Sequence, residues 1–521
     1  MSDESLLIFN AKIYTRHFPQ PTSLLIENGV ITWLGTDAAS LAFENTQRID
    51  AKGFWIAPAF VDAHVHLTNT GLLHTGCDLT GVQSWTEMFT ELAQQNSQEV
   101  CIAHGWDDTH WQAFSSVNIQ TETLGPIYAS RIDVHSAYLS PRFIAMCPEV
   151  NEADGFADSG IVTGQAHHVA RKFALSLLNE SQISESQSSA LHTAASRGIA
   201  VVHEMAGPDI SGFKDAENLK KFNNENFPEV VLWWGELNGH QTASELGAFG
   251  CGGDLFVDGS VGSQTAHLCD PYESGGHGNQ YQNTDALAEH IQACVENSLA
   301  SGFHAIGDAA LDSVIDAYER CFNAVGEAKF RSVSHQIEHA EMLSSTNIAR
   351  MSALGITASM QPVFDELWAG EGQMYDSRLG GRWTDMNDFA EITRSGVLMS
   401  FGSDSPVTPI DPWRAIKAAE NPHQATHGVS RRAAFAAHTR SSFRAMRRHD
   451  CGEIEVGMRA NLAIWEVSGL EVKSPDHVVR NWSTDPRSAT PPLPALDEVT
   501  PTCLATLRNG SVIYSNGTIF Q

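Results

Sequence analysis

Two histidines one residue apart, His64 and His66, stand in the stretch PAFVDAHVHL, residues 58–67. Phe60 and Val61 favour a β-strand, and successive side chains of a strand alternate between its two faces, so both imidazoles lie on the same side. Two neutral imidazoles that converge in this way form half of a site for zinc or a neighbouring transition metal. The same pair also arises by chance in ordinary strands, so its weight depends on ligands elsewhere in the chain.

Three further residues of ligand type follow apolar runs: His304 in GFHAIGD, His339 in SHQIEHA and Asp404 in MSFGSDSP. Taken alone, each can be read in an ordinary way, as a buried histidine, a helix start or a helix N-cap. All three are nevertheless predicted to end parallel strands, and the carboxyl ends of such strands meet at one face of a barrel. Together with His64 and His66 they predict a centre for zinc or another divalent transition metal.

The elements that must position these residues repeat along the chain from residue 186 onward. Strand-like runs such as IAVVHEM, residues 199–205, alternate with helical segments such as residues 283–302, for which we predict Thr284 as the N-cap and Gly302 as the end. Repeated strand and helix units predict an α/β fold with a parallel sheet, and their number favours a closed (β/α)₈ TIM-type barrel. Since no strand is followed by a glycine-rich dinucleotide motif, an open doubly wound sheet is disfavoured.

The two chain ends have a different pattern from the middle. Short runs alternate apolar and polar residues, and the Asn-Gly pairs at residues 28–29 and 509–510 are typical of β-hairpins. We therefore predict one small β-sandwich built from both termini. The predicted boundaries are 1–57 plus 445–521 for the composite β-sandwich, 58–444 for the barrel, and about 68–185 for an insertion of helices and loops within the barrel.

Composition excludes several classes of protein. The chain has 62 acidic and 32 basic residues and a net charge of −30, which argues against a nucleic-acid or anionic-membrane partner. The partner that we expect is a small-molecule substrate. Its nine cysteines form no CxxC pair and do not suggest a disulfide framework. The first residues resemble neither a signal peptide nor a membrane span. We expect reduced thiols and a cytoplasmic protein.

As a set, the motifs resemble those of the amidohydrolase superfamily, in particular the amidohydrolase 3 branch that includes N-substituted formamide deformylases. The resemblance rests on PAFVDAHVHL, DGSVGSQTAHL, GFHAIGDAAL, QIEHA, SMQPVF and SFGSDSPVTPIDPW and covers nearly the whole chain. It implies a barrel with a β-sandwich from both termini, four metal-binding histidines (His64, His66, His304 and His339), and Asp404 as ligand and proton shuttle. Asp404 and His339 are then the candidate catalytic residues, and a homodimer is compatible with the family.

One position departs from the family pattern. Four residues before the aspartate of DGS, the family usually has a lysine. That lysine can be carboxylated to bridge two metals. In this chain the segment is GGDLFVDGS, and Asp254 stands at the lysine position. An aspartate carboxylate sits nearer its own backbone than a lysine carbamate, so we expect one tightly held metal. Asp254 is then a ligand of a displaced second ion or a partner of another ligand. Glu204 and Glu236 are alternative carboxylates, or buried polar groups with no role at the metal.

For the reaction we expect a metal-activated water to attack a carbonyl group, with Asp404 transferring the proton to the departing nitrogen. The predicted substrate is a small organic amide, formamide or cyclic amide. Polar and aromatic residues near the predicted barrel mouth are candidates for substrate binding, although the aromatic ones could equally pack the rim. These candidates are Trp106, His135, Asp258, Ser260, Gln361 and Phe364.

Two other functions fit the same residues. A deaminase would use these ligands with one metal ion and would release ammonia without a second organic product. A catalytically impaired binding or regulatory barrel is the other alternative, with Asp254 marking a lost centre. Such a protein has no reason to keep His64, His66, His304, His339 and Asp404 together.

Overall fold

The computed structural model describes residues 5–17, 19–44, 46–73, 76–95, 100–114, 124–472, 490–497 and 499–520. A sheet of eight parallel strands lies at its centre, with the strands side by side in chain order. Barrel strands one to eight are Phe60–Val65, Ile199–Ala206, Glu229–Trp234, Gly250–Cys251, Ala300–Ala305, His335–His339, Thr357–Met360 and Met399–Phe401. The ring closes between strands eight and one, where the Asp404 amide donates to the His64 carbonyl at 2.7 Å. The predicted (β/α)₈ barrel is confirmed.

Helices surround the barrel because each presents an apolar stripe to it. In Asp308–Val325, for example, Leu311, Val314, Ile315 and Tyr318 are buried at helical spacing. The helices from barrel strand one to strand five are Leu67–Leu72, Trp85–Gln94, Pro141–Met146, Gly164–Ser176, Glu180–Ser196, Phe213–Asn218, His240–Leu246 and Thr284–Glu296. Those that follow are Asp308–Val325, Glu327–Phe330, Ser345–Leu354, Pro362–Trp368, Met374–Leu379, Phe389–Arg394, Pro412–Glu420, Arg431–Ala437 and Arg440–Ala445.

The helix predicted over residues 283–302 has different ends. It spans Thr284–Glu296, and the N-cap is Asn283, whose side chain accepts from the Ala286 amide at 2.9 Å. The chain leaves the helix after Glu296 because Ser298 adopts a left-handed conformation with φ 58°. Residues 300–302, predicted as the helix end, already belong to barrel strand five.

Strands from both termini form two sheets that pack face to face. One sheet has the order Val30–Gly35, Ser23–Glu27, Ser5–Phe9, Gln47–Asp50, and the other Lys12–Ile13, Trp55–Pro58, Leu462–Glu466, Thr502–Arg508, Ser511–Ser515. One apolar cluster, which includes Ile8, Ile56 and Leu504, lies between them. Both Asn-Gly pairs form the expected hairpin turns, with positive φ at each of the four residues. Leu470–Glu471 and Leu493–Pro494 add a two-stranded pair.

The insertion after barrel strand one contains a sheet, which the sequence did not predict. Its order is Ile161–Thr163, Ser136–Leu139, Ile127–Arg131, Cys101–Trp106, Cys77–Asp78. All five residues of Ile127–Arg131 are buried, so neither face of the strand is exposed to solvent. Its sequence, IYASR, therefore lacks the alternation of apolar and polar residues that indicates a half-buried strand. Within the described residues, no helix has both the length and the apolar character needed to cross a bilayer.

Candidate metal centre

His64 and His66 lie at the carboxyl end of barrel strand one and point to the same side of it, with ring centres 5.3 Å apart. Both turn Nε2 toward one oxygen atom, Oδ1 of Asp404, at 3.3 Å for His64 and 3.2 Å for His66. The hydrogen bond from the Asp404 amide to the His64 carbonyl holds this aspartate beside strand one. The three side chains therefore form one compact group of potential ligands.

Asp254 lies between this group and the other two histidines. Its Oδ2 atom is 3.5 Å from Nε2 of His64 and 3.3 Å from Nε2 of His66. Its Oδ1 atom is 3.3 Å from Nδ1 of His304 and 3.6 Å from Nε2 of His339. One carboxylate thus presents one oxygen to each pair of histidines.

The short side chain of Asp254 reaches all four histidines because the chain bends just before it. Barrel strand four ends at Cys251, and both glycines that follow have positive φ, 136° at Gly252 and 77° at Gly253. A Cβ atom on Gly252 would lie 2.2 Å from the carbonyl oxygen of Gly302, so this backbone runs against strand five. The bend therefore brings the Asp254 carboxylate beside all four imidazoles although its side chain is short.

Outer hydrogen bonds orient the imidazoles. Nδ1 of His64 lies 2.9 Å from Oε2 of Glu338, and Nδ1 of His66 lies 3.0 Å from the Met205 carbonyl. Nδ1 of His339 lies 2.9 Å from Oε1 of Gln361. These oxygens accept hydrogen bonds, so Nδ1 carries the proton in each ring and the Nε2 lone pair faces the centre, as in metal-ligating histidines.

His304 is oriented in the opposite way. Its Nε2 atom lies 3.2 Å from the carbonyl oxygen of Gly259, which leaves the Nδ1 lone pair directed toward Asp254.

The sequence did not predict that Glu338 contacts one of the candidate ligands. Its position directly before His339 in QIEH was the available signal, but only the closed barrel brings it to His64, 274 positions away in the chain.

The unsatisfied atoms of the site fit a divalent metal. Nε2 of His64, Nε2 of His339 and Oδ1 of Asp404 are buried and have no hydrogen-bond partner among the described residues. Burial opposes the ionisation of the Asp254 and Asp404 carboxyl groups, yet the neighbouring histidines hold the pKa values of both groups well below the usual range. Two buried carboxylates therefore need positive charge beside them, and facing lone pairs from four imidazoles suit a metal cation.

A pocket with about 330 Å³ of space opens over His304, His339 and Asp404. Three of the predicted substrate-binding residues, His135, Ser260 and Phe364, line it. The ring of His135, which is partly buried, lies 5.1 Å from that of His304. Ser260 already donates from Oγ to Oδ2 of Asp133 at 2.7 Å, which limits its freedom to bind a ligand.

Three other residues predicted to bind substrate are engaged elsewhere. Trp106 lies in the core of the insertion, where its indole N–H donates to the Ala129 carbonyl at 2.9 Å. The Asp258 carboxylate accepts from the backbone amides of His267, Ile306 and Gly307. Gln361 holds His339 through the contact with Nδ1. In the structure Trp106 packs, Asp258 supports loops and Gln361 contacts His339; that any of the three touches a substrate stays a prediction.

The alternative carboxylates also have other partners. Oε2 of Glu204 accepts from the Leu67 amide at 2.7 Å, and burial raises the pKa of Glu204 to about 8. Oε2 of Glu236 accepts from the indole of Trp234 at 2.7 Å. Among the described residues neither carboxylate lies within ion-pair distance of a histidine of the centre, whereas Asp254 does.

Comparisons with known proteins agree with this geometry. A family model described as "Amidohydrolase family" matches residues 47–514. Protein LONG AFTER FAR-RED 3 of Arabidopsis thaliana is 25% identical over 457 residues, which is 80% of this chain and 77% of that protein. The putative amidohydrolase YtcJ of Bacillus subtilis is 24% identical over 439 residues, which is 76% of this chain and 79% of that protein.

Among solved structures, an uncharacterized metal-dependent hydrolase from Pyrococcus furiosus superposes with a TM-score of 0.70 and 26% sequence identity. The match covers 88% of this chain and 98% of that one, so both barrel and sandwich are included. The family model spans most of the sequence and contains all the residues of the centre. The chain therefore belongs to the amidohydrolase family.

Proposed function

We propose that this protein is a metal-dependent hydrolase that cleaves a non-peptide C–N bond, in an amide, formamide or cyclic amide, of a small organic substrate. The observation that carries the proposal is a set of three buried, unpartnered atoms: Nε2 of His64, Nε2 of His339 and Oδ1 of Asp404. His339 and Asp404 line the pocket. Family membership supports hydrolysis with a metal. The choice of a C–N bond is our inference from the resemblance to deformylases.

The ligands divide into two sets, and we propose two divalent ions, with zinc as the first candidate, where the sequence alone favoured one. His64, His66 and Asp404 would hold one ion, His304 and His339 would hold the other, and Asp254, which faces both groups, would be available to either. A metal bound there supplies a water molecule whose pKa is lowered to roughly 7.

Asp404 is the residue that we assign to proton transfer. Burial opposes its ionisation, but the electrostatic influence of the adjacent His64, together with the close contact of His66, keeps the pKa of Asp404 below the usual range. The carboxylate is therefore ionised at neutral pH and able to accept the proton of the attacking water. The same oxygen atoms can return that proton to the departing nitrogen, since one carboxylate reaches both positions within a small pocket.

His135 and Phe364 are the residues that we assign to the substrate. Burial, with a contribution from His304, lowers the pKa of His135 to about 3, so this imidazole is neutral at pH 7 and can donate one hydrogen bond to a carbonyl oxygen. Phe364 is buried, lines the same pocket and stacks at 5.9 Å on the ring of His339. Its ring offers an apolar surface to the organic part of the substrate.

The geometry bears on the two alternatives. A deaminase with one ion needs only one set of ligands, whereas Asp254 faces both sets, so a hydrolase with two ions is the better match. An impaired barrel is disfavoured because every imidazole of the centre has its outer hydrogen bond and a lone pair directed inward.

The proposal is tested by metal analysis combined with a substrate screen. Protein purified in medium containing zinc should hold close to two equivalents, and the double variant His64→Ala, His66→Ala should lose both metal and turnover. N-substituted formamides, hydantoins and carbamates are the compounds to screen. Release of formate with an organic amine supports the proposal. Ammonia as the sole nitrogen product would favour the deaminase, and a metal-free wild-type protein would exclude the mechanism.

A further inference from the structure

Two guanidinium groups are buried near the metal centre, and they differ in their surroundings. Arg131, 3% exposed, forms ion pairs with Asp107, Asp108 and Asp133 at 2.6–3.1 Å. Arg171, 6% exposed, has no carboxylate within ion-pair distance among the described residues. A buried cation without a counter-charge is costly, so such a group is usually paired or binds something. Arg131 is already neutralised and Arg171 is not.

The protein uses only part of the hydrogen-bonding capacity of Arg171. Its Nε donates to the Asp209 carbonyl at 2.9 Å and its Nη2 lies 3.1 Å from Nδ1 of His168. A guanidinium has five N–H groups, so three remain, including both on Nη1. The guanidinium carbon lies 5.7 Å from the centre of the Phe256 ring, which fixes the position of the side chain. Arg171 is thus held in place with donors left over.

Arg171 lines a second cavity, which encloses about 480 Å³ of space, part of it open to solvent. Much of its wall is aliphatic, with Leu72, Ile102, Val134 and Leu175 among the lining residues, and Arg171 is the one described lining residue with a formal charge. The other polar groups of the wall are mostly paired already: the Tyr128 hydroxyl with His167 at 2.9 Å, and Ser130 with His104 at 2.8 Å. Asn69 adds a side-chain amide.

The cavity adjoins the metal centre across two short segments. In the first, Asp133 and His135 line the pocket over the metal centre while Val134, between them, lines the second cavity. In the second, Asp404 and Val407 line the pocket and Pro406 lines the cavity. Val134 has φ 50°, an uncommon conformation for a β-branched residue, so the backbone turns at the point where the pocket and the cavity meet.

We propose that this cavity is a binding site for an apolar carboxylate, with the carboxylate on Arg171 and the hydrocarbon part against the aliphatic wall. A planar carboxylate matches the remaining N–H groups of a guanidinium, and the pair is strong where water is excluded. Because the chain as a whole carries a net charge of −30, its overall field repels anions, and the attraction must come from this one cation. The site does not depend on the function proposed for the metal centre.

The test is calorimetric titration of the metal-loaded protein with hexanoate, and with hexanamide as its uncharged counterpart. Wild type should bind hexanoate and not hexanamide. Arg171→Met should weaken hexanoate binding about 10- to 100-fold, as expected for a lost charge-assisted hydrogen bond. Lys172→Met is the matched control, since Lys172 is the next residue on the same helix and is largely exposed. It should bind as wild type does.

Two further variants distinguish binding at Arg171 from coordination at the metal centre and from loss of folding. Because hexanoate could coordinate the metal centre, the double variant His64→Ala, His66→Ala should retain binding. Arg171→Lys keeps a charge and should bind with intermediate affinity, which covers the case that the methionine variant does not fold. The proposal is overturned if wild type does not distinguish hexanoate from hexanamide, if the histidine variant loses binding, or if Lys172→Met weakens it as much as the change at Arg171.

Discussion

Glu338 and His64 are both completely buried, and Oε2 of the carboxylate lies 2.9 Å from Nδ1 of the imidazole. This contact directs Nε2 of His64 toward Asp254 and Asp404. We predict that Glu338→Gln leaves the protein folded but weakens metal binding about 10- to 100-fold, because an amide oxygen is a poorer acceptor for the N–H of a ligating histidine. Competition with a chelator of known affinity measures the change.

Glu236→Gln is the matched control for that variant. Glu236 lies just after barrel strand three, whereas Glu338 lies near the end of strand six; the Glu236 carboxylate accepts a hydrogen bond from Trp234 and touches no histidine of the centre. The metal affinity of the Glu236→Gln variant should equal that of wild type. Equal affinity in the Glu338 variant would mean that this carboxylate does not orient His64.

The position of Asp254 predicts the number of ions. Since its two oxygen atoms face different pairs of histidines, Asp254→Ala should reduce the metal content from about two equivalents to one or fewer. Elemental analysis of the purified variant, with circular dichroism as a check on folding, measures this directly. If Asp254→Ala still holds two ions, the carboxylate is not shared between them.

Trp106 and Phe364 should behave in opposite ways. Trp106→Phe removes the hydrogen bond to Ala129 and part of a packed core, so the free energy of unfolding should fall by about 1–3 kcal/mol while the KM is unchanged. Phe364→Ala should raise the KM for the best substrate of the screen, since this ring lines the metal pocket. A raised KM in the Trp106 variant would return that residue to the substrate site.

The sequence predicted the barrel, and which candidate ligands come together in it, better than it predicted the surroundings of those residues. His64 and His66 could be assigned because alternation along one strand is a local property, and His304 and His339 because they end recognisable strands. The roles of Asp258 and Gln361 depend on which groups lie opposite them in the folded barrel. Such long-range contacts leave no periodic signal in the chain.

The insertion was harder to predict for a related reason. Its central strand is buried on both faces, and Trp106 lies on a neighbouring strand inside that core rather than in a loop. A tryptophan near a predicted barrel mouth is equally compatible with lining a pocket and with filling a core. Only the sheet order distinguishes them.

His335 predicts a dependence of stability on pH. Burial lowers the pKa of His335 to about 4, and both ring nitrogens are hydrogen-bonded, to Ser301 and to the Phe330 carbonyl. Its folded pKa lies below the usual 6.5, so protonation favours the unfolded chain. The stabilisation is complete above pH 6.5 and is lost as the pH falls toward 4.

From pH 7.5 to 5.5, wild type should therefore lose about 1 kcal/mol more unfolding free energy than His335→Gln, which cannot titrate. Urea titrations of both proteins at the two pH values measure the difference, and both pH values lie above the isoelectric point of about 5.0. Losses of equal size would mean that His335 has an ordinary pKa in the folded protein.

Gly252 should be essential to the metal centre although it carries no side chain. A Cβ atom there would lie 2.2 Å from the Gly302 carbonyl oxygen, and its φ of 136° is strained for any other residue. We predict that Gly252→Ala shifts Asp254, lowers the metal content and destabilises the protein by more than about 2 kcal/mol.

Gly247→Ala is the control that separates the effect of backbone strain from the effect of a steric clash. Gly247 also has positive φ, 71°, but there is open space around its Cβ position. The control should lose only about 1 kcal/mol and keep its metal. If both variants keep full metal content, the bend after strand four does not determine where the Asp254 carboxylate lies.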